Sequence, residues 1–324
     1  MVPHDSLPGI VIAEYLGIDS RDHAKANRFL ETYTIGNDTE VVDRPFERFK
    51  HYEELMHGLR SLDVRKYEEM HKGTPFFFMA WLSFDMRNFE RALFYLDTAI
   101  SEDVRNSTEW RTLPGADFLK LGLRNVARRT VEELRNILQL QMQRFNELSG
   151  RKAVTLADWA QNFVEPMMET PERRTILCSL YVFLYEFQDR FQELELRTGA
   201  VKGSNHPFLS HLFHGGLIFE SLLKQWYRGN TLGQLFGRLR SDFGIPRQTP
   251  LPTTANVTNP LAAIYAAVVG NDIVTAFTTT AKLRNTTGHN LDRDNIFDQP
   301  SRYADLFHQV VNAIFYVISV KYVP

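Results

Sequence analysis

The sequence predicts an all-α protein, with an N-terminal helical region followed by an antiparallel helical bundle. Three observations support this fold class. Apolar residues recur at helical spacing along 303–318, and they do so again along 177–194, so each segment presents one continuous apolar face. In addition, no segment alternates apolar and polar residues for long enough to indicate a β-strand.

The composition is that of a soluble globular protein of one large or two smaller domains. The chain has 324 residues, of which 44% are hydrophobic and 23% are charged. Its formal net charge of -2 excludes a chain that is basic throughout, so any nucleic-acid-binding surface must be local. Cys178 is the only cysteine, which excludes an internal disulfide and favours a reducing cytoplasmic location. We find no signal peptide and no apolar run of the ~20 residues that a membrane span needs.

Residues 1–165 are predicted to form an N-terminal helical domain with a recognition or regulatory role. Helical spacing predicts helices over 21–34, 45–71, 74–86 and 87–103. The last of these resembles the second helix of a tetratricopeptide repeat, because small and apolar residues recur along it at Phe89, Ala92, Leu96 and Ala99. Only one copy of the pattern is present, so a local helical hairpin is favoured over a repeat.

A single long helix is predicted over 115–148, and a short one over 156–164. The long segment carries several arginines, which either contact RNA phosphates or lie on a solvated helix face: Arg124, Arg128, Arg129, Arg135 and Arg144. Pro166 and Pro171 then predict a domain boundary at 165–172.

The second predicted domain, 172–324, is more regular than the first. Helices are expected over 172–197, 207–228, 231–242 and 261–283, and a final helix follows the polar loop after residue 291. Gly215 and Gly216 lower helix propensity, and a close helix crossing would compensate for this. An irregularity is expected at Gly270-Asn271. The proline-rich segment 244–260 is long enough to be a lid or a partner-binding loop.

The segment KLRNTTGHNL, residues 282–291, contains the candidate catalytic residues. Arg284 offers a planar fork of donors suited to phosphate oxygens, and His289 can move a proton near neutral pH. Asn285 follows the arginine directly, and Lys282 and Arg293 are the nearest further cations. The spacing alone is weak, because similar pairs occur in charged helical stretches at Arg44/His51, Arg65/His71 and Arg302/His308. The Thr-Thr-Gly turn between two apolar helices is the distinguishing context.

Two other interpretations of polar residues remain beside the catalytic one. Arg284 and His289 could instead cap the carbonyl groups of the preceding helix end. His206, His211 and His214 could place two imidazoles on one helix face, but no carboxylate or cysteine completes a metal set, so packing or surface roles are favoured. The aspartates of the following loop lack the glycine and glutamate of a calcium site.

With its motif RNTTGH at 284–289, the sequence resembles the HEPN superfamily of all-helical domains. The signature of that family is an arginine, a polar residue, a short gap and a histidine. The segment FHGGLIFESLLK and the apolar last helix also suit the family's bundle. The resemblance covers about 172–324 and leaves residues 1–165 unexplained.

This resemblance implies a metal-independent endoribonuclease without a cofactor, of the kind found in prokaryotic toxins and antiviral-defence effectors. His289 would transfer a proton, Arg284 would hold the scissile phosphate, and Asn285 would orient one of them. Lys282, Asn290 and Arg293 would contact the RNA substrate. Because two motifs usually face each other in this family, a homodimer is expected, and the very apolar last helix supplies surface for it.

Two further classes of function remain open. The chain could be a catalytically inactive helical adaptor, with the N-terminal region holding a protein partner and the C-terminal bundle acting as a dimerisation module. It could also be a HEPN-type partner of a nucleotidyltransferase.

Overall fold

The computed structural model of the protein describes residues 44–62, 64–197, 204–252, 261–287 and 295–324. All regular elements within these ranges are helices, which confirms the predicted all-α class. The helix predicted over 21–34 lies outside the described residues. The chain forms two compact units, Met1–Arg135 and Asn136–Pro324. The boundary predicted at 165–172 separates domains that fold independently. The division into compact units does not test independent folding, so this boundary stays a prediction.

The described part of the first unit consists of short and medium helices, with the start of one long helix. They are α1 (Pro45–Leu62), α2 (Val64–Glu69), α3 (Gly73–Asp85), α4 (Phe89–Asn106), α5 (Pro114–Leu119) and the first residues of α6 (Arg128–Ser149). The predicted hairpin of α3 and α4 is confirmed, because the two helices pack together and a short turn joins them. Asn88 caps α4 by accepting a hydrogen bond from the backbone N–H of Arg91 at 3.2 Å.

The helix predicted over 45–71 is described as α1 and α2, on either side of residue 63, which lies outside the described residues, and His71 follows α2. Lys72 accounts for the end of α2, because its buried ammonium group donates to the carbonyl oxygens of Tyr67 and Met70, both at 2.7 Å. Those donations satisfy carbonyl groups that a continuing helix would use.

The single helix predicted over 115–148 is wrong, because the chain turns between α5 and α6. Leu121 has a φ of 57° in the left-handed region, and Gly122 passes against the side chain of Asp117. A Cβ atom on Gly122 would lie 2.2 Å from Oδ1 of Asp117, so only glycine fits here. Asn125 fixes the turn by donating to Oδ2 of Asp117 at 3.0 Å.

The second unit contains the four long helices of the predicted bundle. They are α7 (Pro171–Glu195), α8 (His206–Lys224), α11 (Ile273–Thr287) and α12 (Pro300–Lys321), with the shorter α9 (Leu232–Leu239) and α10 (Leu261–Ala266) beside them. Helix α8 packs on α7, α11 and α12. Aromatic side chains fill the core, where the rings of Phe187 and Phe307 stack with their centroids 3.8 Å apart.

Residues before α7 also belong to this core. The short helix predicted over 156–164 is confirmed as consecutive turns, Leu156–Asp158, Trp159–Val164 and Glu165–Met167. The buried indole N–H of Trp159 donates to the hydroxyl of Tyr181 at 2.9 Å. This turn region therefore packs on α7 through a satisfied buried polar contact.

The irregularity predicted at Gly270-Asn271 is confirmed as the gap between α10 and α11. Helix α12 holds the open backbone there, because Gln309 donates to the carbonyl of Gly270 and Tyr316 donates to that of Asn271, each at 2.9 Å. The carbonyl groups that the break releases thus have partners.

Helix α12 is the one helix in the described ranges that is long and apolar enough to cross a membrane. However, 78% of its most apolar 18-residue window is buried inside the fold, as expected for a core helix. The same burial removes the apolar surface that we expected this helix to offer to a second copy. The expected homodimer then depends on the family resemblance alone.

Candidate functional site

Helix α11 carries three of the predicted site residues in its last turns. Lys282, Arg284 and Asn285 are all partly buried there. His289 and the predicted substrate-binding residues Asn290 and Arg293 lie outside the described residues. The arginine half of the motif can therefore be placed, and its histidine half stays a prediction.

The guanidinium group of Arg284 is held by a buried carboxylate on the neighbouring helix α8. Nε of Arg284 lies 2.8 Å from Oε2 of Glu220, a side chain that is only 4% exposed. The second oxygen, Oε1, lies 2.6 Å from Nζ of Lys224, one turn further along α8. Arg284 and Glu220 form an ion pair rather than an aligned hydrogen bond.

Glycine allows α8 and α11 to approach closely enough for this pair to form. A Cβ atom on Gly216 would lie 2.7 Å from Cβ of Arg284 and 3.3 Å from its Cα. On the opposite side, a Cβ on Gly215 would lie about as close to Phe183 and Val310, at 2.5 Å and 2.6 Å. The close crossing predicted for the two glycines is confirmed.

Asn285 contacts the arginine that precedes it. Nη1 of Arg284 donates to Oδ1 of Asn285 at 3.2 Å. A guanidinium group has five N–H donors, so these contacts leave donors for an additional acceptor. In the capping alternative, Arg284 would bond backbone carbonyl groups. In the described part of the chain, its side chain is directed to Glu220 and Asn285 instead.

The cluster formed by Arg284, Lys224 and Glu220 carries two positive charges and one negative charge. The carboxylate is deeply buried, whereas the side chains of Arg284 and Lys224 are 30% and 43% exposed. The arrangement therefore fixes the position of a guanidinium group and keeps an excess positive charge near the surface. Chemically, it can hold an anion such as a phosphate group.

Sequence reasoning missed Glu220 and Lys224. The signal for them was present, because Glu220 is the only acidic residue in α8 and the faces around it are apolar. A lone carboxylate at such a position needs a cationic partner when the helix is buried. Lys224, four residues later, is on the same helix face.

The histidines of α8 have the packing role that we favoured, at least for His211. Its Nε2–H donates to the carbonyl oxygen of Phe183 at 2.8 Å, and its Nδ1 accepts from the hydroxyl of Tyr303 at 2.7 Å. Burial lowers the pKa of His211 to about 3, so the ring is neutral in the core. His206 is exposed, at the start of the helix.

A second buried carboxylate in the first unit was also missed. Asp103 is 1% exposed, and its Oδ1 lies 2.7 Å from Nε2 of His71, while no described residue donates a hydrogen bond to its Oδ2. A Cβ on Gly73 would lie 1.6 Å from Oδ1, so the carboxylate lies against the first residue of α3. Burial raises the pKa of Asp103, and His71 partly offsets this.

Among the described residues, no group of three or more histidine, cysteine, aspartate and glutamate side chains is arranged to hold a metal ion. Comparisons of the chain with protein-family models, with curated proteins and with solved structures found no match.

Proposed function

We propose that this protein is a metal-independent endoribonuclease of the HEPN type. The observation that supports the proposal best is the placement of Arg284. Its partly exposed guanidinium group is oriented by the buried Glu220, and it lies five residues before His289 in the sequence. A positioned guanidinium with spare donors is suited to bind a scissile phosphate and to stabilise its developing charge.

In this mechanism, the substrate supplies its own nucleophile. The 2′-hydroxyl of the nucleotide before the scissile bond loses a proton and attacks the adjacent phosphorus, and the 5′-oxygen of the next nucleotide leaves with a proton. The products are a 2′,3′-cyclic phosphate and a 5′-hydroxyl. His289 transfers one of these protons, Arg284 holds the phosphate, and Asn285 orients the guanidinium group.

The remaining predicted residues and partners fit the same proposal. Lys282, Asn290 and Arg293 contact the RNA backbone beside the scissile phosphate. A homodimer places two copies of the motif around one two-fold axis. The enzyme then acts in the cytoplasm, as a toxin or an antiviral-defence effector, and needs no cofactor.

The test is cleavage of labelled RNA in EDTA by the wild-type chain and by His289→Ala. We expect the substitution to lower the rate by about 10²–10⁴-fold, the scale of a general acid–base group. His206→Ala is the matched control, because it removes an exposed histidine from the same unit. Equal rates for wild type and His289→Ala, cleavage of a matched DNA, or complete dependence on a metal ion would refute the mechanism.

A second candidate function is supported by the same ion pair. Breaking a buried pair destabilises a fold, so Arg284 can serve stability alone, as expected for a catalytically inactive adaptor or for a HEPN-type partner of a nucleotidyltransferase. Replacing both members, as in Glu220→Leu/Arg284→Met, distinguishes these roles. If the double variant folds and still supports every cellular effect of the protein, the adaptor function is favoured.

A further inference from the structure

A surface around Trp226 combines an exposed aromatic ring with several cations. The protein has four tryptophans, of which three are at most 9% exposed, whereas Trp226 is 47% exposed. It follows the end of α8, in a segment that is basic against the balance of the chain. Residues 224–247 contain five basic residues and one acidic residue, although acidic residues exceed basic ones in the whole sequence.

Lys321 contacts this ring directly, and Arg173 contacts the residue before it. Nζ of Lys321, at the end of α12, lies 5.3 Å from the ring centre of Trp226 and 4.7 Å from that of Tyr227. Arg173, in the first turn of α7, donates from Nε to the side chain of Gln225 at 3.2 Å. We call Arg173, Trp226, Arg228, Arg238 and Lys321 the Trp226 patch.

Two arginines of the patch carry charge that no nearby acid neutralises. Lys321 is paired with Asp242, and Arg173 lies 3.5 Å from Glu169. By contrast, the side chain of Arg238 donates to the backbone carbonyl of Arg228, so the two residues are neighbours in space. Both side chains are exposed. Within the described ranges, neither guanidinium group has an acidic partner.

We propose that the Trp226 patch binds single-stranded RNA. A base stacks on the exposed part of the indole ring, while Arg228 and Arg238 contact the flanking phosphates. Exposed aromatic rings beside cations are the usual platform for unpaired bases, and stacking tolerates different sequences. The choice of RNA as the ligand depends on the proposed ribonuclease function, for which this patch is a docking surface in the same unit as Arg284.

The experiment measures binding of a fluorescent RNA that cannot be cut. A single-stranded oligonucleotide with 2′-methoxy groups lacks the nucleophile, so its fluorescence anisotropy reports binding alone. We expect Trp226→Ala to weaken binding about 5- to 100-fold, the range for loss of one stacked base, and Trp226→Phe to retain most of the affinity. The double variant Arg228→Ala/Arg238→Ala should weaken binding. It should also make the affinity less dependent on salt concentration, because about two fewer counterions are released on binding.

Controls separate this patch from general surface effects and from catalysis. Phe94→Ala removes a comparably exposed ring, 62% exposed, from the first unit and should leave binding unchanged. The patch is refuted if Trp226→Ala and Phe94→Ala bind equally, or if the wild-type chain does not bind the oligonucleotide at low salt. RNA that is bound through Trp226 but never cut would instead refute the proposed ribonuclease and keep the patch.

Discussion

Among the described residues, each unit has one buried carboxylate, and the two are compensated differently. In the second unit, Glu220 has a cation at each oxygen, Arg284 at 2.8 Å and Lys224 at 2.6 Å. In the first unit, Asp103 has the imidazole of His71 at one oxygen, and no hydrogen bond from the described ranges reaches its other oxygen. Both carboxylates are nearly inaccessible to solvent.

The difference lies in the number of cationic side chains that face each buried carboxylate. Glu220 lies between two of them, a guanidinium group and an ammonium group. Asp103 faces one imidazole, and burial raises the pKa of Asp103. The arrangement around Glu220 suits a site that must hold a guanidinium group in a fixed position. The arrangement around Asp103 connects α4 to the start of α3.

The largest expected difference between the units is their response to acid. Burial lowers the pKa of His211 and His308 from 6.5 to about 3, and the pKa of His214 to about 4, all in the second unit. The unfolded chain therefore takes up protons below pH 6.5 while the folded unit does not. The folding stability of the second unit thus falls as the pH is lowered from about 6.5 to 4. For the fully buried His211, the loss is about 1.4 kcal/mol per pH unit. The raised pKa of Glu186 opposes part of this trend.

The first unit should respond in the opposite direction. Burial raises the pKa of Asp85 to about 6 and raises that of Asp103 as well. The folded unit then binds protons before the unfolded chain does, so its stability rises as the pH falls from about 6 to 4. Amide hydrogen exchange at pH 7 and 5, corrected for intrinsic rates, should show protection falling in 136–324 more than in 44–135. Equal changes in both ranges would contradict the prediction.

His308 provides a variant that tests the cause of the acid response. Its ring packs at 5.7 Å from that of Phe187, so His308→Phe keeps an aromatic ring in the core and removes one titrating group. In this variant, the hydrogen-exchange protection of residues 136–324 should differ less between pH 7 and pH 5 than it does in the wild-type chain.

The next largest effect is expected from breaking the ion pair of the second unit. Arg284→Met leaves Glu220 with Lys224 alone, and because the arginine is 30% exposed we expect a loss of about 2–3 kcal/mol, below the ~3–5 kcal/mol of a fully buried pair. The double variant Glu220→Leu/Arg284→Met should recover most of the loss. Urea unfolding measures both, and additive losses would argue against a coupled pair.

Glycine substitutions should have a smaller effect and act on both units. Gly73→Ala places a Cβ against the carboxylate of Asp103, and Gly216→Ala places one against the backbone of Arg284. Each should destabilise the protein by about 1–3 kcal/mol, the range for overpacking. Gly237→Ala is the control, because a Cβ there meets nothing within 4 Å and the helix should gain up to about 1 kcal/mol. A tolerated Gly216→Ala would show that α8 and α11 can separate at no cost.

The sequence was sufficient to predict the long helices α7, α8 and α12, and insufficient to predict which residues contact the buried carboxylates. Periodicity placed α7, α8 and α12, because each buries one long apolar face, and Gly215-Gly216 predicted the close crossing. Periodicity failed at Leu121, where left-handed backbone and the contact of Gly122 with Asp117 end a pattern that still looks helical. The pairs Arg284–Glu220 and His71–Asp103 join residues 64 and 32 positions apart. Helical spacing carries no information on such distant contacts.

The smallest expected effect distinguishes the two carboxylates most directly. Asp103→Asn keeps the size of the side chain and can keep the hydrogen bond to His71. It removes a carboxylate whose second oxygen accepts no hydrogen bond from the part of the chain that the structure describes. We expect a change of less than about 1 kcal/mol at pH 7, because a neutral hydrogen-bonded amide is less costly to bury than an incompletely paired charge.

Glu220→Gln makes the same change of charge in the other unit, but it leaves Arg284 and Lys224 repelling each other without a carboxylate. Because both cations can reach water, the loss should be moderate, about 1–2 kcal/mol, yet larger than that for Asp103→Asn. Urea unfolding at pH 7 compares the two variants. If Asp103→Asn were the more damaging one, the carboxylate of the first unit would have to be charged for folding.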